Sequence, residues 1–175
     1  MSIAVVCLVN DLMQADSIVG SLRNAGFRSS DISLLMPDTA GFRDAGYEKH
    51  SKAPEGASAG AGAGMLLGGA LGWLAGVGAL ALPGLGAFIA AGPIMAALSG
   101  AAVGGALGGL SGGLIGLGMP EFEAKQYEGK MKELNRIFLS VHTENKDEVK
   151  VAEKIFKDLG AKDINSIHEE KAHTR

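Results

Sequence analysis

The residues that could do chemistry are few. Cys7 is the single cysteine, inside the apolar run "SIAVVCLVN". A reactive thiol needs exposure and a nearby cation, so this placement reads as core packing. His142 and Glu144 fall on one side of one predicted strand, and His168 and Glu170 on one side of another. Two histidines on separate strands could meet a metal, but neither pair has established ligand spacing, and no metal or cofactor is assigned. Asp16, Asp31 and Asp38 sit at helix-surface or turn positions, and "HEEKAHTR" reads as a solvated tail. No nucleophile, base and orienting group can be assembled, so the expectation is a protein that is not an enzyme.

Charge excludes more. The net charge is -3, with 20% charged residues, and the basic side chains are interleaved with acids, not aromatics. That argues against a nucleic-acid partner. A single cysteine excludes an internal disulfide and fits a reducing compartment. The apolar N-terminus lacks a basic leader and meets Asp11 early, so the N-terminal part is expected in the cytoplasm.

The elements that position these residues lie in two charged flanks. "SIAVVCLVN" reads as a strand buried on both faces. In "DLMQADSIVGSLRNAGF", Leu12, Ala15, Ile18, Val19 and Leu22 have helical spacing, Asp11 and Gln14 have capping-box spacing, and Gly26 suits the closing residue. "DISLLMPD" is a second strand. "PEFEAKQYEGKMKELN" is a helix with Pro120 at its start, and "RIFLSVHTE" a third strand. "KDEVKVAEKIFKDLGAKD" is a helix closed by Gly160, and "INSIHEE" the last strand.

This order predicts an α+β, ferredoxin-like split β-α-β sandwich. Residues 1–50 form its first half, 51–119 an inserted glycine-rich helical hairpin between the second and third strands, and 120–175 a helix, the second half and a tail. Helices cover one face of such a sheet. Apolar residues on both faces of the first strand therefore imply a second cover, assigned to another copy of the chain.

The insertion carries no Asp, Glu, Lys, Arg or His between Glu55 and Glu121, and much of the chain's 27 glycines. Gly60, Gly64, Gly68, Gly72 and Gly76 recur every fourth residue, as do Gly100, Gly104, Gly108, Gly112 and Gly116. Residues four apart share a helix ridge, and a ridge without side chains admits another backbone closely. Folded about Phe88, the two rows oppose each other, Gly68 facing Gly108. A further row, Gly105, Gly109 and Gly113, offers a stripe to a neighbouring subunit. Helices are expected near 57–81 and 94–118, with a tip over 82–93 punctuated by Pro83, Gly84, Gly92 and Pro93.

Each such helix has about 25 residues, or roughly 37 Å, enough to cross a hydrocarbon core. Lys49, Lys52, Lys125, Lys130 and Lys132 flank its two ends while the tip is uncharged, as the positive-inside rule asks of a hairpin with both ends cytoplasmic. Trp73 sits mid-helix, not at an interface. The expected location is a bacterial inner membrane, with membrane lipid and other copies of the chain as partners. The alternatives are a cytoplasmic, soluble homo-oligomeric ring or shell cored by the hairpins, and an accessory subunit of a membrane complex. A flexible linker would not carry so many Leu, Ile and Val side chains. No Gly-Lys-Ser/Thr or "GxGxxG" context makes a phosphate loop.

The stretches "GFRSSDISLLMPD", "KAPEGASAGAGAG", "ALPGLGAFIAAGPIMAALSGAAVGG", "GMPEFEAKQYEGKMKE", "LSVHTEN" and "LGAKDI" resemble bacterial general-stress proteins of the YflT-like kind. The architecture is also similar to predicted membrane proteins that place glycine-zipper segments within a split α/β domain. More distantly, it is similar to a subunit of a bacterial quinol-oxidising complex carrying two membrane helices. The resemblance implies a stress setting and carries over no catalytic residue. One departure is Leu134-Asn135, where glycine is expected before the third strand.

Overall fold

A computed structural model of the chain describes residues 2–37, 78–82, 86–94, 98 and 110–169. Its strands are β1 (Ser2–Val9), β2 (Ile32–Pro37), β3 (Gly78–Leu82), β4 (Gly86–Ala91), β5 (Ile137–Thr143) and β6 (Lys162–Glu169). Its helices are α1 (Leu12–Asn24), α2 (Leu110–Gly116), α3 (Glu121–Leu134) and α4 (Lys146–Asp158). The protein is α+β. Among the described residues one six-stranded sheet, ordered β3-β4-β2-β5-β1-β6, has antiparallel neighbours throughout.

Local chemistry sets the helix limits. Asp11 caps α1 by accepting the Gln14 N–H at 2.8 Å, while Gln14 Oε1 accepts the Asn10 N–H and Gln14 Nε2 donates to the Leu159 carbonyl. One glutamine thus ties the start of α1 to the end of α4. Asn145 caps α4 by accepting from Asp147 N. Helices α1, α2 and α4 end alike: a left-handed glycine (Gly26, Gly118, Gly160) donates back three residues and the next residue donates back five. Helix α3 closes on Asn135, at φ 50. After glycine, asparagine tolerates that conformation best, which accounts for Asn135 where glycine is expected.

The strand period of two sorts the core into two layers. Val5, Cys7 and Val9 of β1 join Leu139 and Val141 of β5 and Ile32 and Leu34 of β2 under α1 and α4. The alternate residues Ala4, Val6 and Leu8 join Leu35, Phe138 and Ile167 under α2 and α3, with Tyr127 packed edge-on against Phe138.

Three expectations are corrected here. The second face of the sheet is covered by the chain's own α2 and α3 with Ile94 and Leu98, not by another copy. The helix expected over 57–81 is not helical at its end, because residues 78–82 form β3; residues 57–77 lie outside the described residues. The tip expected over 82–93 contains β4. Its Phe88 and Ala90 enter one core layer and its Ile89 and Ala91 the other. That alternation suits a strand buried on both faces, and the outer edge of β2 supplies the backbone partners, Leu34 opposite Ala91 through Pro37 opposite Phe88. In the helix expected over 94–118, α2 occupies 110–116, and residues 99–109 lie outside the described residues. The described parts of 51–119 therefore belong to the domain's own sheet and core.

Candidate packing site of the glycine-rich segment

The segment leaves the sheet at Gly92. This residue follows β4 with φ +79, and a Cβ there would lie 2.0 Å from the Ile32 carbonyl oxygen, so the chain passes β2 by backbone contact. Pro93 follows, and the Ile94 N–H donates to the buried Ser33 Oγ at 3.1 Å. The crossing carries Ile94 and Leu98 onto the second face, where both are buried with Leu110 and Leu114 of α2. Pro83 and Gly84, also expected at the tip, lie outside the described residues.

Helix α2 is where a glycine meets a side chain. A Cβ on Gly113 would sit 2.1 Å from Leu98 Cδ2 and 2.9 Å from its Cγ. The leucine fills the space that any larger residue would need. The start of α2 is held from α3, because Ser111 N donates to Glu128 Oε2 at 2.9 Å, a carboxylate at a helix N-terminus.

Of the ten glycines expected to pack helices, Gly112 and Gly116 are described; Gly60, Gly64, Gly68, Gly72, Gly76, Gly100, Gly104 and Gly108 lie outside the described residues. Gly112 is half-buried. Gly116 is exposed, with nothing within 4 Å of a Cβ built on it. The tight contact belongs instead to the offset row ending at Gly113, which was assigned to a neighbouring subunit. Its partner is Leu98 of the same chain, while Gly105 and Gly109 of that row lie outside the described residues.

Cys7 is fully buried, and burial pushes its thiol well above the ordinary value. His142 lies opposite Ala4 and His168 opposite Ile3. Directly paired residues share a face and successive residues alternate, so the two histidines stand on opposite faces of the sheet. Among the described residues, no three His, Cys, Asp or Glu side chains gather to hold a metal. An open cleft of about 390 Å³ runs along Gly26–Arg28, Asp31, His142–Glu144 and Glu148. Within it, Glu148 accepts from the Thr143 hydroxyl and Arg28 pairs with Asp31 at 3.6 Å.

Two polar clusters were not anticipated. Ser33 and Ser140 are paired across β2 and β5 and fully buried on the α2–α3 face, with Ser140 Oγ 3.4 Å from His142 Nε2. Their signal was a lone serine inside each of two apolar strands. Asp163, left-handed at φ 51, sits where β6 shifts register against β1. Its carboxylate pairs with Lys130 and, at 3.5 Å, with Arg136, while its carbonyl accepts the Tyr127 hydroxyl. Burial, foremost, and the Asp163 charge push the Tyr127 phenol upward.

Comparison of the chain with protein-family models, with curated proteins and with solved structures finds no match.

Proposed function

We propose that this is a non-enzymatic, self-assembling protein built on a ferredoxin-like split β-α-β unit, in which the glycine-rich insertion both covers the sheet and joins copies of the chain. The order β2-β5-β1-β6, antiparallel at each step, supports the split β-α-β assignment. The observation that carries the self-packing role is Gly113 against Leu98: a glycine of this segment admits a neighbour closer than any Cβ allows. The rows Gly60–Gly76 and Gly100–Gly108 offer the same chemistry to a second copy. The resemblance to general-stress proteins supplies the setting, a bacterial stress response.

Between a soluble assembly and a membrane hairpin, chain length favours the soluble one. Residues 38–77 leave from β2 and return to β3 of the same sheet, so an excursion into lipid must cross an even number of times. They contain one uncharged stretch, 56–77, about the length of a single pass. Among the described residues, no helix is long and apolar enough to cross a membrane.

Detergent-free fractionation followed by sizing tests this. A uniform multimer in the soluble fraction is expected, and Gly68→Leu with Gly108→Leu should reduce its size while the α/β domain stays folded. Carbonate-resistant pelleting with membranes would overturn the soluble assembly, and an unchanged multimer in the double variant would overturn the glycine rows.

A further inference from the structure

Among the described residues the sheet has two edges, β3 and β6, and they differ. At β6 the edge is closed by its own residues. A register shift and the left-handed Asp163 interrupt it, the Asp163 carbonyl is taken by the Tyr127 hydroxyl, and the Ser166 N–H by Asn165 Oδ1 at 2.9 Å. Lys162, Asp163 and Glu169 add charge. These are the devices by which proteins keep an edge from pairing with another strand.

At the other end lies β3, "GALAL", with none of them among the described residues. It contains no proline and no charged residue, and the nearest charges in the chain are Glu55 and Glu121. Its pairing with β4 is unbroken from Gly78 opposite Ala90 to Leu82 opposite Gly86, so its outer backbone groups form a regular row. Such a row is a template for a further strand.

We propose that β3 is the edge through which two copies of this chain join, pairing β3 with β3 antiparallel about a two-fold axis at Leu80, so that the two sheets become one. This rests on the self-assembly proposed above and specifies one of its contacts. The two-fold register uses every residue of the strand: Gly78 faces Leu82, Ala79 faces Ala81 and Leu80 faces its counterpart. No like charges are opposed. The chain's own residues 38–77 fit the edge less well. Glycine at every fourth position over 60–76 disfavours a strand, and Arg43, Asp44, Glu48 and Lys49 would set charges along an uncharged edge.

The experiment compares Leu80→Cys with Ala79→Cys in the full chain under mild oxidation, read on a non-reducing gel; the native Cys7 is buried. Directly opposed residues of antiparallel strands lie within disulfide reach, whereas residue 79 lies opposite 81 and is offset from its own counterpart. Leu80→Cys is expected to give covalent dimer at about tenfold the yield of Ala79→Cys. Ala81→Lys, which sets a lysine along this uncharged edge as protected edge strands do, should lower the particle mass with the far-ultraviolet spectrum unchanged. Equal, low cross-linking in a wild type that is multimeric would overturn the β3 contact and leave self-assembly standing. A monomeric wild type would overturn both.

Discussion

Gly113 and Leu98 stand so close that a Cβ on the glycine would lie 2.1 Å from Leu98 Cδ2. The Leu98 side chain therefore occupies the space that a side chain at this position of α2 would need. Three residues on, Gly116 faces open space. Two glycines of one short helix thus have opposite structural consequences, although composition treats them alike.

That contrast predicts opposite responses to substitution. Gly113→Val should lose about 2 kcal/mol, since overpacking at a contact this close costs roughly 1–3 kcal/mol. Gly116→Ala should be neutral or gain up to about 1 kcal/mol from helix propensity. Urea denaturation of both variants measures the difference. Equal effects at the two sites would mean that Leu98 does not seat against the helix.

Asp163 combines a backbone role with an electrostatic one. Its φ of 51 suits Asp, Asn or Gly, and its carboxylate lies between Lys130 and Arg136. Asp163→Asn keeps the backbone tolerance and loses the ion pairs, which are partly exposed, and should cost up to about 1 kcal/mol. Asp163→Ala loses both and should cost about 1 kcal/mol more, the penalty of a left-handed residue with an ordinary Cβ. Thermal or urea unfolding of the pair separates the two parts. Identical losses would remove the backbone role.

The flanks were legible because their signals are local. Asp11 and Gln14 name a helix start, Gly26 and Gly160 name helix ends, and the continuous apolar run Ile3–Val9 names a strand buried on both faces. The insertion was not, because its residues satisfy two periods at once. In "GAFIAAGP" the alternation of Phe88 and Ala90 with Ile89 and Ala91 is a strand pattern, but within a long Gly/Ala-rich stretch it is equally a helix tip. What decides it is tertiary: the outer edge of β2 is free to accept β4. The cover of the second sheet face was correctly required and assigned to the wrong molecule. Sequence shows that Ala4, Val6 and Leu8 need a partner, but not that Leu110 and Leu114 supply it.

The last prediction concerns alkaline pH, where the two most perturbed groups act in the same direction. Burial raises the Cys7 thiol from an ordinary value of 9.0 and the Tyr127 phenol from 10.0. Each holds its proton longer in the folded protein than in the unfolded chain. Below pH 9 both states are protonated at these groups and their contribution is fully present. Above it the unfolded chain binds fewer protons, so stability falls as pH rises, by about 1.4 kcal/mol per unit for each group in play. The decline should begin near pH 9 from Cys7 and steepen above pH 10 as Tyr127 joins. Urea midpoints from pH 7 to 11 for the wild type and Cys7→Ala measure it, each curve taken against its own neutral value, which removes any pH-independent packing loss. The variant should keep its stability about one pH unit further before declining. If the two curves run parallel across that range, the Cys7 thiol is not held protonated by the fold.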